Sequence, residues 1–470
     1  MANEYNAPRA KAKIIATLGP ASERSETIRA LIEAGVDCFR FNFSHGSREG
    51  HAKAAARVRA SDPTGRVAIL ADLQGPRIRI GSLPAPIRVK AGDALTITTG
   101  SPTPGQVPTS YERLADDVAA GDRLLVDGGL MELRVVAVDG GLVRCRAVTA
   151  GEIGANKGLN LPGVVVSAPT LSDKDIEDAA AALSFGADYL ALSFVRGPED
   201  ILRLRAALGD SDVPIVAKIE RAEAVAEFEP ILEVADGVMV ARGDLGAEVP
   251  LETLPGIQKK IIALANTRCK PVIIATEMLQ SMTTSPRPTR AEASDVANAI
   301  LDGTDAVMLS GETAIGHYPL RVVDVMGRIS REAEKSRRLF KPPTRHASEL
   351  VSFAAAVADA ACAAAAELAA KAIVVFTISG QTAWLVAQRR PEASVIALTP
   401  HAQTMRRLAL AWGVTPILQP LVEDSAEMVK RADYTLKEAG LIRAGEVIVI
   451  VGGQGPLSGT TNFTKIHTVR

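Results

Sequence analysis

Short aliphatic runs that end in polar residues recur along most of this chain, and they constrain the fold more than any other feature. Eight such runs alternate with segments of helical pattern, and they are Lys13–Gly19, Cys38–His45, Val67–Leu73, Tyr189–Val195, Pro214–Glu220, Gly237–Asp244, Pro271–Met278 and Ala306–Glu312. This alternation predicts an α/β protein with a (β/α)8 barrel of the TIM type. The hydrophobic content of 47%, with only 4% aromatic residues, suits aliphatic strands buried on both faces.

Two other regions interrupt or follow the barrel pattern. About 115 residues separate Leu73 from Tyr189, and the stretch between them is rich in Gly, Pro, Val and Thr, with hairpin signals at Asp127-Gly128-Gly129 and Asp139-Gly140-Gly141. It predicts a small all-β domain inserted into a barrel loop. An Ala-rich helix follows Lys341-Pro342-Pro343 and leads to the predicted strands Ala372–Thr377, Ser394–Thr399 and Glu446–Val451. We therefore expect a barrel domain at 1–80 and 169–342, the inserted domain at 81–168 and a C-terminal α/β domain at 343–470.

Composition narrows the class of partner and the compartment. The net charge of -1 gives no electrostatic reason to expect nucleic acid or a membrane as a partner. The 4 cysteines are far apart and form no CxxC pair, which predicts reduced thiols. The segment Met1–Lys13 is polar, without the apolar core of a signal peptide. These features predict a soluble cytoplasmic protein.

The ends of the predicted strands carry the chemistry. Lys218 and Glu220 are two residues apart on one strand and so share a face, and Asp244 ends the next strand. Two carboxylates beside an ammonium would suit Mg²⁺ and a phosphorylated substrate. For one strand end alone, a surface salt bridge with Asp244 as a helix cap is an equally good interpretation. Polar residues at the other strand ends favour a functional site, and they are Thr17, Arg40, Asn42, Ser44, Asp72, Ser193, Arg242, Thr276, Ser310 and Glu312.

Motifs in order along the chain resemble the pyruvate kinase family, in its bacterial type. The most specific stretch runs from Pro286-Arg287-Pro288-Thr289-Arg290-Ala291-Glu292 through Met308-Leu309-Ser310-Gly311-Glu312-Thr313-Ala314. The others are Lys13–Ala21, Arg40–Gly46, Asp72–Arg79, Asn156–Gly163, Lys218–Glu220, Ala241–Gly246 and Ala275–Leu279. The resemblance implies a glycolytic enzyme that transfers the phosphoryl group of phosphoenolpyruvate to ADP and protonates the resulting enolate. It also implies a homotetramer.

The resemblance also assigns roles to the charged residues. Arg40 and Lys218 would hold the transferring phosphoryl group, and Lys218 would stabilise the enolate oxygen. Glu220 and Asp244 would bind Mg²⁺, or Mn²⁺ in its place. The backbone N–H groups of Gly243 and Asp244, at a helix start, would receive the substrate carboxylate.

Proton transfer and nucleotide binding are assigned in the same way. Thr276 would orient a proton path to the enolate carbon, with Ser310 and Glu312 behind it holding a water relay, since an alcohol alone is a poor acid. The alternative for Thr276 is a hydroxyl that satisfies local backbone. The candidates for the nucleotide phosphates are His45, Arg79 and Lys157. Lys157 lies in the inserted domain, which would act as a lid, although a solvated lysine is the alternative.

One motif departs from the potassium-dependent members of the family. The residues Asn42, Ser44, Asp72 and Leu73 match the monovalent-cation pocket of the family. Potassium-dependent members carry Thr and Lys where this chain has Leu73 and Gln74, and Glu where it has Arg77. A guanidinium stays protonated and would repel K⁺, so the sequence predicts that Mg²⁺ is required and K⁺ is not. The alternative is that Arg77 points to solvent and K⁺ still binds.

A loop of the C-terminal domain is the predicted site of a sugar-phosphate effector. Its residues are Thr377, Ser379, Gly380, Gln381 and Thr382. We expect a helix at Ala383–Gln388, whose start would hold a phosphate, or else only a capped helix without ligand. The last loop, 452–457, has no Arg or Lys for a second phosphate, which favours a monophosphate over fructose 1,6-bisphosphate.

Two other functions are compatible with parts of this pattern. A Mg²⁺-dependent barrel lyase or aldolase acting on a 2-oxo acid would also use Glu220 and Asp244, but it would not need a lid. A catalytically inactive metabolite-binding regulator would keep the fold, but the intact set of charged residues argues against it.

Overall fold

The computed structural model of the chain describes residues 9–336, 352–422, 424–453 and 461–470. Its first elements are β1 (Lys13–Thr17), α1 (Ser25–Ala34), β2 (Cys38–Asn42), α2 (Arg48–Ser61) and β3 (Ala68–Asp72). Helix α1 buries Ile28, Leu31 and Ile32 on one face, and it ends at Gly35, whose φ of 116° forms a left-handed cap. The predicted units of buried strand and amphipathic helix are therefore present from the start of the chain.

A separate β-structure follows β3, as the sequence predicts. Its elements are β4 (Ile87–Val89), β5 (Ala94–Thr98), β6 (Gln106–Pro108), α3 (Leu114–Asp117), β7 (Arg123–Val126), β8 (Met131–Asp139), β9 (Leu142–Ala147), β10 (Gly151–Ile153) and β11 (Leu159–Asn160). The sheet has the order β11-β7-β8-β9-β5-β6, and β10 pairs with β4. Left-handed residues at Asp127 to Gly129 and at Gly140 to Gly141 form its two hairpin turns.

The chain then returns to the barrel. The elements are α4 (Asp173–Ser184), β12 (Tyr189–Leu192), α5 (Pro198–Ala207), β13 (Ile215–Ile219), α6 (Ala222–Ala226), α7 (Phe228–Val234), β14 (Gly237–Ala241), α8 (Arg242–Glu248), α9 (Leu254–Thr267), β15 (Val272–Ala275), α10 (Arg290–Asp302), β16 (Ala306–Leu309), α11 (Gly311–Ala314) and α12 (Pro319–Ser336). The barrel closes in the order β1-β16-β15-β14-β13-β12-β3-β2. Neighbouring strands are all parallel, so the carboxyl ends of the eight strands share one rim. The predicted (β/α)8 barrel is confirmed.

The C-terminal region forms a mixed sheet with helices. Its elements are α13 (Phe353–Glu367), β17 (Ala372–Phe376), α14 (Gln381–Ala387), β18 (Ser394–Thr399), α15 (Ala402–Arg407), β19 (Val414–Leu418), α16 (Ser425–Glu438), β20 (Val447–Gly453) and β21 (Thr461–Thr468). The strand order is β19-β18-β17-β20-β21, and only β21 runs antiparallel to its neighbour. The exact limits of the three domains stay predictions. No helix among the described residues is long and apolar enough to cross a membrane.

The C-terminal domain contacts the barrel at the amino ends of the barrel strands. Lys13 Nζ, at the start of β1, donates a hydrogen bond of 2.8 Å to the Val414 carbonyl. Arg390 lies 2.7 Å from Asp305, which directly precedes β16, and both side chains are almost completely buried. These contacts join the C-terminal domain to the end of the barrel that is opposite to the predicted site.

Candidate active site

Asp72, at the end of β3, is the centre of a buried network of charges at the barrel rim. Its Oδ2 accepts a hydrogen bond of 2.6 Å from Arg40 Nε, and its Oδ1 lies 3.2 Å from Lys218 Nζ. Burial disfavours the charged carboxylate, but Lys218 and Arg40 outweigh it and hold the pKa of Asp72 below its usual value. Asp72 is therefore an ionised anchor that orients both cations.

Lys218 and Glu220 form a second pair on the same strand, β13. Lys218 Nζ lies 2.8 Å from Glu220 Oε1 and donates a hydrogen bond of 2.7 Å to Ser193 Oγ. The side chains of Lys218 and Glu220 are only 7% and 1% exposed, so this is not a solvated surface pair. Burial lowers the pKa of Lys218, but Asp72 and Glu220 outweigh it and leave the pKa above its usual value. The ammonium is thus held permanently charged.

Glu220 supplies a carboxylate next to this ammonium, and the Asp244 carboxylate is near enough to act on the charge of Glu220. Glu220 Oε2 accepts a hydrogen bond of 2.7 Å from the Phe194 backbone N–H. The pKa of Glu220 is raised, mainly by burial. Lys218 lowers this pKa, whereas the carboxylates of Asp244 and Asp72 raise it. A divalent cation would relieve this repulsion, and an oriented carboxylate pair fits Mg²⁺. The described residues contain no cluster of three or more Asp, Glu, His or Cys ligands, so substrate oxygens and water would complete the coordination.

Thr276 follows β15 in a strained backbone conformation. Its φ is 66°, which is rare for a β-branched residue. The next residue, Glu277, also has a positive φ, of 55°. Thr276 Oγ1 accepts a hydrogen bond of 2.7 Å from the Gly243 N–H and lies 2.6 Å from the Ala275 carbonyl. Left-handed residues of this kind cost about 1–3 kcal/mol and cluster at functional sites. The hydroxyl is thereby fixed beside the start of α8, which begins at Arg242.

Ser310 and Glu312 lie at the end of β16 and the start of α11. Glu312 is fully buried and accepts hydrogen bonds of 2.7 Å from the Ser310 N–H and 3.2 Å from the Leu279 N–H. The Ser310 hydroxyl is buried and has no hydrogen-bond partner among the described residues. A buried hydroxyl without a protein partner is a favourable position for an ordered water.

Arg77 is turned towards the carboxylates of the site. It lines a cavity of about 190 Å³ together with Asp244. Burial and the neighbouring Arg79 lower the pKa of Arg77, whereas Asp244, Asp72 and Glu220 raise it. Its guanidinium makes no hydrogen bond to another described residue. The positive charge of Arg77 also affects His45. Partial burial lowers the pKa of His45 most, and Arg77, Arg79 and Arg40 lower it further.

The other predicted nucleotide ligands, Arg79 and Lys157, each contact a residue of the inserted domain. Arg79 Nη1 donates a hydrogen bond of 3.0 Å to the Asn156 carbonyl. Lys157 Nζ lies 2.8 Å from Asp127 Oδ2, and both side chains are exposed. Nucleotide phosphates would therefore compete with Asp127 for the Lys157 ammonium.

The predicted monovalent-cation residues are engaged with their own neighbours. Asn42 Oδ1 accepts a hydrogen bond of 3.1 Å from the Ser44 N–H, and the Leu73 carbonyl accepts one of 2.7 Å from Ser193 Oγ. Among the described residues, neither Asn42 nor Ser44 hydrogen-bonds to Arg77. Within this group it is Asp72 that acts on Arg77, since its carboxylate raises the pKa of the guanidinium.

The helix that follows the predicted effector loop has other limits than the sequence predicts. Helix α14 spans Gln381–Ala387, so it begins two residues before, and ends one residue before, the predicted helix Ala383–Gln388. The reason is that Gly380, with a φ of 88°, begins the helix without a side-chain cap, and its N–H donates to Thr377 Oγ1 at 3.0 Å. Thr382 Oγ1 lies 2.6 Å from Thr461 Oγ1. Residues 454–457 of the last loop lie outside the described part of the chain.

Two arginines that the sequence interpretation did not single out join the inserted domain to the barrel. Arg221 follows Glu220 directly, and its Nη2 donates a hydrogen bond of 3.2 Å to the Val164 carbonyl. Arg196 Nη1 donates one of 2.5 Å to the Val166 carbonyl. The position of both residues just after a barrel strand was the available signal. They connect the rim of the barrel to the root of the inserted domain.

Fold and site together define a (β/α)8-barrel enzyme whose buried charged residues gather at the rim where barrel enzymes bind their substrates. The family model "Pyruvate kinase, barrel domain" matches residues 9–323, and "Pyruvate kinase, alpha/beta domain" matches residues 355–467. The pyruvate kinase of Mycobacterium tuberculosis is 44% identical over 470 residues, which cover 98% of each chain. That of Corynebacterium glutamicum is 44% identical, with 97% of each chain covered, and that of Clostridium acetobutylicum is 41% identical, with 98% and 99% covered.

The chain belongs to the pyruvate kinase family, whose members convert phosphoenolpyruvate and ADP into pyruvate and ATP. The predicted family is confirmed, and the lyase and the inactive regulator are not supported. The family in general needs Mg²⁺ and K⁺. The roles of individual residues stay predictions.

Proposed function

We propose that this chain transfers the phosphoryl group of phosphoenolpyruvate to ADP and then protonates the enolate to pyruvate. The buried network of Arg40, Asp72, Lys218 and Glu220 is the observation that carries the proposal. It presents two permanent cations at the rim where the substrate of a barrel enzyme binds. An inactive binding protein would have no need to hold an ammonium between two buried carboxylates.

The cations of this network stabilise the charge that moves during transfer. Arg40, oriented by Asp72, binds the equatorial oxygens of the phosphoryl group, and Lys218 faces both these oxygens and the developing enolate oxygen. Glu220 and Asp244 would hold Mg²⁺, and the metal would supply positive charge that neutralises the anionic substrate. The N–H groups of Gly243 and Asp244 bind the substrate carboxylate, and the Gly243 N–H then leaves Thr276 Oγ1.

Protonation takes place on the opposite face of the enolate. Thr276 orients the proton path, and its strained backbone keeps the hydroxyl at one position. The unpaired Ser310 hydroxyl and the Glu312 carboxylate hold the water behind it. For the nucleotide, His45, Arg79 and Lys157 bind the phosphates as the inserted domain closes, which also excludes water.

The requirement for a monovalent cation is the finer part of the proposal. Arg77 lines a cavity together with Asp244, and its charge interacts with Asp244, Asp72 and Glu220, so it supplies the positive charge that K⁺ would otherwise bring. We therefore expect turnover with Mg²⁺ alone. The test measures pyruvate formation in tetramethylammonium or Tris salts from which K⁺ and NH₄⁺ have been removed. A drop of several decades that added K⁺ restores would contradict this role of Arg77.

A sugar monophosphate is the proposed effector at Thr377, Ser379, Gly380, Gln381 and Thr382. The hydroxyls of this loop line a small cavity of about 50 Å³, enough for a phosphate group at its base. Activation by fructose 1,6-bisphosphate alone, with monophosphates inert, would contradict it. The homotetramer, the cytoplasmic location and the domain limits at 81–168 and 343–470 complete the proposal as predictions.

One assay tests the central proposal. Pyruvate formation from phosphoenolpyruvate and ADP is followed with Mg²⁺ present and with Mg²⁺ removed by chelation. The wild-type chain should form pyruvate only with both substrates and the metal, and a Glu220→Gln variant should need far more Mg²⁺. Pyruvate formation from a 2-oxo acid without ADP would favour a lyase, and no turnover with any pair would favour a regulator.

A further inference from the structure

Two arginines of the barrel hold the backbone of the inserted domain. Arg221 Nη2 donates a hydrogen bond of 3.2 Å to the Val164 carbonyl, and Arg196 Nη1 donates one of 2.5 Å to the Val166 carbonyl. Both carbonyls belong to the segment 161–172, which leads from β11 back to α4. The return connection of the inserted domain is therefore fixed to the barrel rim by side chains, and a change in these contacts would change the position of that domain.

Arg221 also reaches two carboxylates of the barrel. Its Nη1 lies 3.5 Å from Glu248 Oε1, and its Nη2 lies 3.1 Å from Glu223 Oε1. The side chains of Arg221 and Glu248 are 9% and 1% exposed, whereas that of Glu223 is 33% exposed. Glu248 is thus the buried end of this network, and Arg221 joins it to the Val164 carbonyl of the inserted domain.

One oxygen of the buried Glu248 carboxylate lacks a donor. Glu248 Oε2 is buried and has no hydrogen-bond partner among the described residues. A buried acceptor without a partner is unfavourable, so a donor that reaches it gains more than an exposed hydrogen bond would. The other oxygen already faces Arg221, so the free oxygen can take a second donor without displacing the first.

The side-chain amide of Asn160 is the donor that the inserted domain offers to this carboxylate. Burial raises the pKa of Glu248 most, Arg221 opposes this effect, and Asn160 lowers the pKa further as a hydrogen-bond donor. Asn160 ends β11 and lines the cavity of about 190 Å³ from the side of the inserted domain, whereas Arg221 and Asp244 line it from the barrel. A movement of the inserted domain that narrows this cavity would carry the Asn160 amide towards the barrel rim.

The barrel side of these contacts is built on the elements that carry the proposed metal ligands. Arg221 follows Glu220 directly in the chain. Glu248 is the last residue of α8, which begins at Arg242 and has Asp244 in its first turn. The position of the inserted domain is thus set against the same two elements that position the carboxylates of the site.

We propose that Asn160, Arg221 and Glu248 form a latch that fixes the closed position of the inserted domain, with Arg221 as a positioning residue. On closure the Asn160 amide donates to Glu248 Oε2, while Arg221 keeps the carboxylate and the Val164 carbonyl in place. The inference rests on the proposed role of the inserted domain as a lid. The latch acts on the nucleotide through Lys157, which the lid carries.

Reversal of donor and acceptor tests the predicted hydrogen bond. Asn160→Asp replaces the amide with a carboxylate of the same shape, which should repel Glu248 and keep the lid open. Addition of Glu248→Gln to that variant should restore closure, because the new amide can donate to the new carboxylate while its oxygen still accepts from Arg221. Either result differs from that of a contact that only fills space, which would not respond to the reversal.

Closure is measured as hydrogen–deuterium exchange of the backbone of residues 161–172. Mg²⁺ and ATP are added without pyruvate, so that the nucleotide site is filled and nothing turns over. ATP should slow this exchange about tenfold or more in wild type and in the double variant, and less than about twofold in Asn160→Asp. Arg144→Met, an exposed change in the inserted sheet, should behave as wild type does.

Kinetics of an Arg221 variant test the positioning role separately. Arg221→Met should raise the KM for ADP about tenfold, whereas the dissociation constant of phosphoenolpyruvate, measured by calorimetry with Mg²⁺ and without nucleotide, should change less than about twofold. Arg221→Lys should recover part of the loss, because an ammonium can still pair with Glu248. Equal effects of Arg221→Met on both ligands would indicate a general disturbance of the rim and would overturn the positioning role.

The remaining outcomes separate the latch from the proposed function. The latch is overturned if ATP slows exchange in Asn160→Asp as it does in wild type, or if the double variant stays as open as Asn160→Asp. If ATP leaves exchange at 161–172 unchanged in wild type, the lid itself is refuted and the latch with it. Pyruvate formation from phosphoenolpyruvate and ADP by the same wild-type preparation then shows whether the reaction stands without a lid.

Discussion

Replacing Lys218 with Met removes the ammonium that the active-site network encloses. The change keeps an unbranched side chain of similar length, so the packing of β13 is preserved. It leaves Asp72, whose Oδ1 is 3.2 Å from Lys218 Nζ, and Glu220, whose Oε1 is 2.8 Å away, as buried carboxylates without this partner. Asp72 retains Arg40, whereas Glu220 retains only the Phe194 N–H.

The structure allows both consequences to be estimated. Gross attractions of about 5–6 kcal/mol per pair, at an effective dielectric constant near 20, are offset by desolvation, and breaking a buried pair from one side costs about 3–5 kcal/mol. Loss of one preorganised electrostatic group in a transition state lowers turnover by about two to three decades. Because Glu220 has a raised pKa in the folded state, its contribution to stability is present at low pH and lost as pH rises through that pKa. The stability deficit of the variant should therefore shrink in acid.

The assay separates rate from folding. Urea unfolding at pH 7 and near pH 5 gives the free energy of unfolding, and steady-state pyruvate formation gives turnover at saturating phosphoenolpyruvate. Lys218→Arg is the matched control, since it restores the charge and part of the stability. Near-normal turnover in a folded Lys218→Met variant would refute the catalytic role. A deficit in stability that grows in acid would refute the assignment of the unpaired charge to Glu220.

Three further changes test other parts of the structure. Thr276→Ala should slow enolate protonation, measured as proton exchange into pyruvate, more than it slows phosphoryl transfer. Thr276→Ser is the control, and equal losses in both steps would contradict the relay. Arg77→Glu should raise the pKa of His45 in an NMR titration, because it replaces a nearby cation by an anion, and an unchanged pKa would mean that the two groups do not face each other. Arg390→Met should lower the free energy of unfolding by about 3 kcal/mol, since it leaves the buried Asp305 carboxylate without its ion pair. Arg328→Met, at an exposed ion pair, should change the free energy of unfolding by less than about 0.5 kcal/mol.

The sequence predicted the barrel because its signal is local and repeated. Each barrel strand is an aliphatic run followed by a polar residue, and the structure has all eight runs as parallel strands. Closure then brings the strand ends to one rim, whatever the lengths of the connecting loops. This is why Arg40, Asp72 and Lys218, far apart in sequence, could be predicted from the sequence to lie near one another.

Other elements carried a weak signal or none. Strand β19 contains Pro416, which argues against a strand, and it is tolerated because β19 lies at the edge of the sheet. Strand β21 is mostly polar and antiparallel, so it lacks the buried aliphatic pattern. The partners within the active site could not be predicted either, because hydrogen bonds such as that from Phe194 N–H to Glu220 depend on the angles at which neighbouring strands meet.

Charge balance around Arg77 is the reason we expect one substitution to change the cofactor requirement. Six of the charged groups at the rim decide this balance, the carboxylates of Asp72, Glu220 and Asp244 and the cations of Arg40, Lys218 and Arg77, and these six sum to zero. With Mg²⁺ bound, these residues would present two positive charges in excess to a phosphoryl group. With Glu at position 77, the same rim would hold four carboxylates against two cations, and Mg²⁺ would only neutralise it. A monovalent cation would then be needed to restore an attractive potential, which is the electrostatic reason for expecting Arg77→Glu to make turnover depend on K⁺.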